Sequence, residues 1–208
     1  MSAISEPGAN STPKFKMVLL GDSGVGKTSI FLRIRDNEFQ CERISTIGTD
    51  TCARRLKVDG TDIQVTLWDT AGVERFRTVT RNFYRNAQAI LLVFSVDEPS
   101  TLLYLSRWEQ DAREYAPTAQ RFLVGNKIDM DRLVSQETME HFASSHDCEF
   151  VFLTSAKTGQ GIADVLKTVA QHLLNFHKKT YENNNLWLEC SVHVNQDNPN
   201  KQRPDKCC

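Results

Sequence analysis

Gly21-Asp22-Ser23-Gly24-Val25-Gly26-Lys27-Thr28 follows the apolar run Phe15–Leu20 and opens a helical stretch over Lys27–Asn37. The octapeptide satisfies G-x-x-x-x-G-K-[ST] in the strand-then-helix context that gives the motif its meaning. Glycines let the backbone wrap closely, so amide groups between Gly24 and Thr28 can point at phosphate oxygens, and the helix start adds its positive dipole end. The expected phosphate set is Ser23, Gly24, Val25, Gly26, Lys27 and Thr28. Lys27 supplies a charge to the outer phosphates, and the Thr28 hydroxyl can ligate Mg²⁺.

Outward from this cradle, apolar runs alternate with amphipathic stretches. Thr49–Val58 and Thr61–Trp68 flank Asp59-Gly60, a strong hairpin signal. Ala89–Ser95 reads as a buried strand, and Pro99 opens a helix to about Ala116. Arg121–Gly125 and Glu149–Leu153 are further short strands, with a helix over Ser135–Ser145 between them. A last helix spans about Ile162–Phe176, with Ile162, Val165, Leu166, Val169, Leu173 and Phe176 on one face. This alternation predicts an α/β domain, a doubly wound, mostly parallel six-stranded sheet with helices on both faces. The expected organisation is a flexible leader over 1–13, a domain over 14–178, and a flexible tail over 179–208.

The whole chain has 208 residues, 40% hydrophobic and 25% charged, which suits one globular domain with tails. Its formal charge of -1, from 25 basic and 26 acidic residues, gives no field suited to nucleic acid. No apolar stretch approaches the roughly 20 residues of a membrane-spanning helix. The first twenty residues show no signal-peptide pattern, and Ser2 does not fit myristoylation. The six cysteines are scattered apart from the terminal pair, so reduced thiols are expected. Asn10-Ser11-Thr12 is read as a chance match to the glycosylation acceptor.

Asn126-Lys127-Ile128-Asp129 and Ser155-Ala156-Lys157 each follow a predicted strand. In open α/β sheets ligands bind outside the carboxyl ends of strands, where all these segments fall. A carboxylate at Asp129 can accept from the N1–H and the 2-amino group of guanine. Adenine offers neither donor and would strand the carboxylate, a penalty that can reach roughly 10⁴-fold. Together with the cradle, this pair of segments favours GTP over ATP.

At this point the chain resembles a Rab-type member of the Ras superfamily of small GTPases over roughly Phe15–Phe176. Trp68-Asp69-Thr70-Ala71-Gly72, followed by Glu74-Arg75-Phe76-Arg77-Thr78, is similar to the second switch of that family, and Thr46-Ile47-Gly48 to its first. The resemblance implies a P-loop NTPase that hydrolyses GTP to GDP with Mg²⁺. Thr46 would join Thr28 on the ion when a γ-phosphate is present, Asp69 would hold it through water, and Gly72 N–H would bind the γ-phosphate. Phe39 would lie edge-on against guanine and Lys127 along it, with Ser155, Ala156 and Lys157 completing the base site. It further implies an exchange factor, an activating protein, effectors, a prenylation escort and a chaperone resembling GDP-dissociation inhibitors. Cys207-Cys208 resembles a double-prenylation end, which implies a lipid-anchored protein on the cytoplasmic face of membranes, with a chaperoned cytosolic pool.

Departures from the family pattern are informative. Val73 stands where the family places the glutamine that orients attacking water, and its side chain offers no hydrogen bond. Intrinsic hydrolysis even slower than the slow baseline of the family is therefore expected; the alternative is that Val73 is neutral because an activating protein supplies both arginine and glutamine. Thr51 and Phe83 replace the usual Phe and Tyr beside Trp68, altering an aromatic patch that effectors read together with Ile47 and Gly48. Arg43 stands where a tyrosine commonly covers the phosphates, and either reaches the γ-phosphate or is solvated.

From Lys178 onward there are five basic and four acidic residues, too balanced for strong attraction to anionic lipid. Leu186-Trp187-Leu188 interrupts this polar tail, as a docking segment or as one folded onto the body. His146-Asp147-Cys148 lacks a second cluster with metal-ligand spacing. His172 and His177 are expected at the surface, and Trp108 in the core. Two rivals to a cycling switch remain: a GTP-bound docking module with little turnover, and a P-loop nucleotide kinase, for which no acceptor site or lid insertion is visible.

Overall fold

The computed structural model describes residues 12–40, 49–70 and 83–194, the last fourteen of these as backbone only. Strand β1 (Lys14–Leu20) leads through the glycine-rich turn into helix α1 (Lys27–Asp36). Strands β2 (Thr49–Val58) and β3 (Thr61–Thr70) form the expected hairpin. Asp59 and Gly60 both take positive φ, 46° and 77°, the pairing a two-residue turn of the primed type requires. Then follow β4 (Ala89–Ser95), α2 (Pro99–Tyr115), β5 (Gln120–Asn126), α3 (Gln136–Ser145), β6 (Cys148–Leu153) and α4 (Ile162–Val194).

The sheet order is β2-β3-β1-β4-β5-β6, with only β2 antiparallel to its neighbour. All seven residues of β4 are buried, as befits a central parallel strand covered on both faces. One face presents Val18, Leu20, Ile90, Leu92 and Leu123, packed with Leu102, Leu105 and Trp108 of α2 and Met139 and Phe142 of α3. On the other, Arg54 of β2 donates to the Ile34 carbonyl of α1, and His172 of α4 meets Phe122 edge-on at 5.6 Å. The doubly wound architecture is thus as the alternation implied. Its consequence for function is local: β1 lies between β3 and β4, so the turn after β1 opens at the point where the chain switches sides.

Helix ends obey local chemistry. Pro99 occupies the first turn of α2, and the Ser135 hydroxyl caps α3 by accepting from Thr138 N–H at 3.1 Å. Asn37 closes α1 in the left-handed region at φ 59°.

The last helix departs from expectation. Rather than ending near Phe176, it continues to Val194. No glycine or proline stands between Gly161 and Pro199, and a helix once nucleated extends at little cost per residue. Leu186-Trp187-Leu188 therefore lies on helical backbone. The chain divides into two compact units, Met1–Leu173 and Leu174–Cys208, the boundary falling within α4. Among the described residues no helix is long and apolar enough to cross a membrane.

Candidate nucleotide-binding site

The turn after β1 is shaped by what its glycines exclude. Gly26 has φ 97°, and a Cβ there would stand 2.2 Å from Asn126 Nδ2. Gly21 is equally constrained, since its Cβ would reach 2.1 Å from the Val93 carbonyl oxygen. The backbone between them is consequently pressed against the ends of β4 and β5. Gly26 caps α1 without any side-chain bond, which leaves the first amides of the helix directed outward.

Lys27 folds back over this turn. It is 5% exposed, and its ammonium donates to the carbonyls of Gly21 and Asp22, each at 2.8 Å. Burial pushes it down to about 8, against the pull of the Asp69 and Asp22 carboxylates. A desolvated cation held by backbone oxygens gains strongly from any anion delivered to it.

Thr28 and Asp69 meet where α1 begins beside the end of β3. The Thr28 hydroxyl donates to Asp69 Oδ2 at 2.7 Å. Asp69 is 1% exposed, and its Oδ1 is buried with no hydrogen-bond partner among the described residues. Burial pushes the carboxyl up to about 6, although the Thr28 hydroxyl and the Lys27 ammonium pull the other way. An orphaned carboxylate oxygen beside a hydroxyl is the hard oxygen set that Mg²⁺ takes. The residues fit the ion.

The base segments converge on the same opening. Asn126, 1% exposed, staples three pieces of chain: Nδ2 donates to the Val25 carbonyl at 2.9 Å, and Oδ1 accepts from Ala156 N–H at 3.1 Å and the Thr154 hydroxyl at 3.3 Å. Ser155 donates to Asp129 Oδ1 at 2.5 Å, and the Lys157 ammonium stands 3.7 Å from Oδ2. Asp129 is thereby oriented before any base arrives. Lys127 sits in the left-handed region at φ 69°, with its ammonium 3.7 Å from Asp97. Burial alone would raise the Asp97 carboxyl, but the Ser95 hydroxyl and Lys127 together hold it below its usual range. Phe39 is half-buried just past the end of α1.

Thr51 and Trp68 are cross-strand partners on β2 and β3, and Trp68 meets Phe83 at 5.7 Å between ring centroids. The Lys16 ammonium lies over the Trp68 ring at 4.2 Å. This cation, which the sequence reading did not pick out, adds charge to the patch. Arg43, Thr46, Ile47, Gly48, Gly72, Val73, Cys207 and Cys208 lie outside the described residues.

Several structural partners were not anticipated. Trp108, expected in the core, is 3% exposed, and its indole also reaches the cradle by donating to Asp22 at 2.7 Å. Arg33 and Asp97 were missed, because a lone arginine on a helix or an aspartate after a strand carries no local signature. His172 is only partly at the surface: it is half-buried, edge-on to Phe122 and Phe150 at 5.6 Å each, with Glu149 3.8 Å away. The aromatic edge of the sheet draws it in. The His146 ring stacks on Phe142 at 4.0 Å, and burial pushes the neighbouring Cys148 thiol up to about 12.

The Ras family model matches residues 16–175. Ras-related protein Rab-15 of Homo sapiens is 39% identical over 171 residues, 81% of this chain and 80% of the relative. Ras-related protein Rab-8B of Homo sapiens is 34% identical over 197 residues, 93% of this chain and 95% of the relative. Ras-related protein RABE1e of Arabidopsis thaliana is 40% identical over 162 residues, covering 76% and 74% respectively. With the glycine-rich cradle, the buried Asp69 and the oriented Asp129 in one opening, these matches mean that the chain belongs to the Ras family, as a Rab-type small GTPase.

Proposed function

We propose that this protein is a GTP/GDP switch of vesicle traffic, anchored to membranes through prenyl groups on Cys207 and Cys208. The observation that carries the nucleotide reading is the convergence of Lys27, the Thr28–Asp69 pair and the Ser155–Asp129 pair on the carboxyl ends of β1, β3, β5 and β6. Amides from Ser23 to Thr28 take the phosphates, with Lys27 neutralising charge on the outer two. Thr28 and, through water, Asp69 hold Mg²⁺, joined by Thr46 in the triphosphate state. The ion offsets charge that builds on the phosphoryl oxygens when bound. Asn126, Lys127, Asp129, Ser155, Ala156 and Lys157 with Phe39 take guanine. Loss of the γ-phosphate releases Thr46 and Gly72, so that two loops relax and effectors leave.

The domain carrying this activity is 14–178, between a leader at 1–13 and the segment 179–208 that bears the lipid. Its partners are an exchange factor, an activating protein, effectors reading Ile47, Gly48, Thr51, Trp68 and Phe83, and a prenyl-binding escort or chaperone. Val73, with no hydrogen-bonding group for the attacking water, makes intrinsic hydrolysis slow. That same residue favours a second reading, a docking module that stays in the GTP state. Nucleotide extracted from the purified protein separates the two: GDP indicates the cycling switch, GTP the module.

Titration of full-length protein with GDP, GTP and ATP in Mg²⁺ tests the core of the proposal. Guanine nucleotides bind at micromolar concentration or below and ATP does not, while Asp129→Asn shifts preference toward xanthine nucleotide. Absence of heat and of thermal stabilisation with GDP would sink the reading. Mass analysis of the mature carboxyl terminus tests the anchor.

A further inference from the structure

Arg33 spends its guanidinium on backbone carbonyls from two separate loops. Nε donates to the Ala156 carbonyl at 2.9 Å, Nη2 to the Lys157 carbonyl at 2.8 Å, and Nη1 to the Asn37 carbonyl at 2.7 Å. The planar fork of arginine suits such a set, whereas lysine carries its charge at a point. Asn37 in turn caps α1, its N–H returning to the Arg33 carbonyl at 3.1 Å. Ala156 is therefore held at both of its backbone polar groups, the N–H by Asn126 Oδ1 and the carbonyl by Arg33. The next residue, Lys157, faces Asp129, and the preceding one, Ser155, donates to it. The helix that begins with Lys27 and Thr28 is tied near its other end to the loop that orients the base-sensing carboxylate.

We propose that Arg33 is a positioning residue for guanine recognition. It makes α1 and residues 155–157 one body, so that phosphates and base are gripped, and released, together. The inference rests on the nucleotide reading above and deepens it by naming a residue that touches neither base nor phosphate. Without the fork, Ala156 and Lys157 lose their carbonyl partners, Asp129 loses its alignment, and discrimination for the 2-amino group of guanine falls.

The test uses full-length protein with Mg²⁺ and ribose-labelled fluorescent GDP and IDP, the latter lacking the 2-amino donor. Release of each is followed by stopped flow in wild type, Arg33→Gln and Arg33→Lys. Arg33→Gln is expected to release GDP on the order of tenfold faster, since hydrogen bonds from a charged donor are lost. IDP release is expected to change less, so the preference for GDP over IDP shrinks. Arg33→Lys falls between, restoring one contact but not the fork. Unchanged GDP release and unchanged preference, even with a lower melting temperature, would overturn the proposal and leave Arg33 a stability residue. If Arg33→Gln does not fold, Arg33→Lys against wild type decides on the same two readouts. A wild-type protein that binds neither nucleotide overturns the function reading instead.

Discussion

The indole N–H of Trp108 on α2 donates to the carboxylate of Asp22 in the phosphate cradle, at 2.7 Å. Trp108 belongs to the apolar cluster under the sheet, while the Asp22 carbonyl accepts from the Lys27 ammonium at 2.8 Å. Core packing on one face of the sheet thus reaches the cradle through Trp108. Trp108→Phe keeps most of the burial and removes the donor. Unfolding free energy should fall by about 2 kcal/mol, the scale of a hydrogen bond to a charged group. GDP should also bind several-fold more weakly. Urea denaturation and nucleotide titration measure the two effects, and unchanged affinity would mean that the cradle does not feel the anchor.

Asp69 presents a buried oxygen with no partner among the described residues, next to the Thr28 hydroxyl. Mg²⁺ is expected to slow GDP release from the wild type on the order of tenfold or more, ~1.4 kcal/mol or above. Asp69→Asn should be nearly indifferent to Mg²⁺ or its chelator. Release rates with and without EDTA check this, and a variant that still responds as fully as wild type would remove Asp69 from the ion site.

Val73→Gln should restore a group able to align water and raise the single-turnover rate. The wild type is expected to fall below the roughly 10⁻⁴ per second of related switches. Quenched-flow hydrolysis on pure protein is the measurement; a slower rate in the glutamine variant would contradict the role assigned to Val73.

Burial raises the Cys148 thiol from 9.0 to about 12, with the Glu109 carboxylate adding to the shift and Arg121 opposing it. A raised acid favours its neutral form in the folded state. The associated stability is complete below pH 9 and is lost as pH rises through about 12. At pH 8 Cys148 should resist iodoacetamide in the native protein and react once urea unfolds it. Peptide mass mapping after timed alkylation reads this directly, and rapid native labelling would contradict the burial.

Much of the fold is legible because neighbouring residues encode it. The apolar run of β4, the Asp59-Gly60 turn and Pro99 at the start of α2 are each read from a few adjacent positions. The cradle belongs with them as a motif, although the contact that excludes a side chain at Gly26, with Asn126, is made only in the fold. The end of α4 was not legible in this way: weak helix formers and a run of asparagines after Phe176 suggest a stop, yet no residue there forbids continuation.

By itself the sequence determined the strands, the helix starts, the glycine-rich turn and the two base-reading segments, because backbone propensity and hydrophobic period act over a few residues. Only the tertiary structure decided that Arg33 holds Ala156 and Lys157, that Trp108 holds Asp22, and that Asn126 joins Val25 to the loop after β6. Those partners lie 28 to 124 residues apart along the chain. They meet because strand order brings their loops together, and no local pattern specifies which distant carbonyl or carboxylate a buried donor will find.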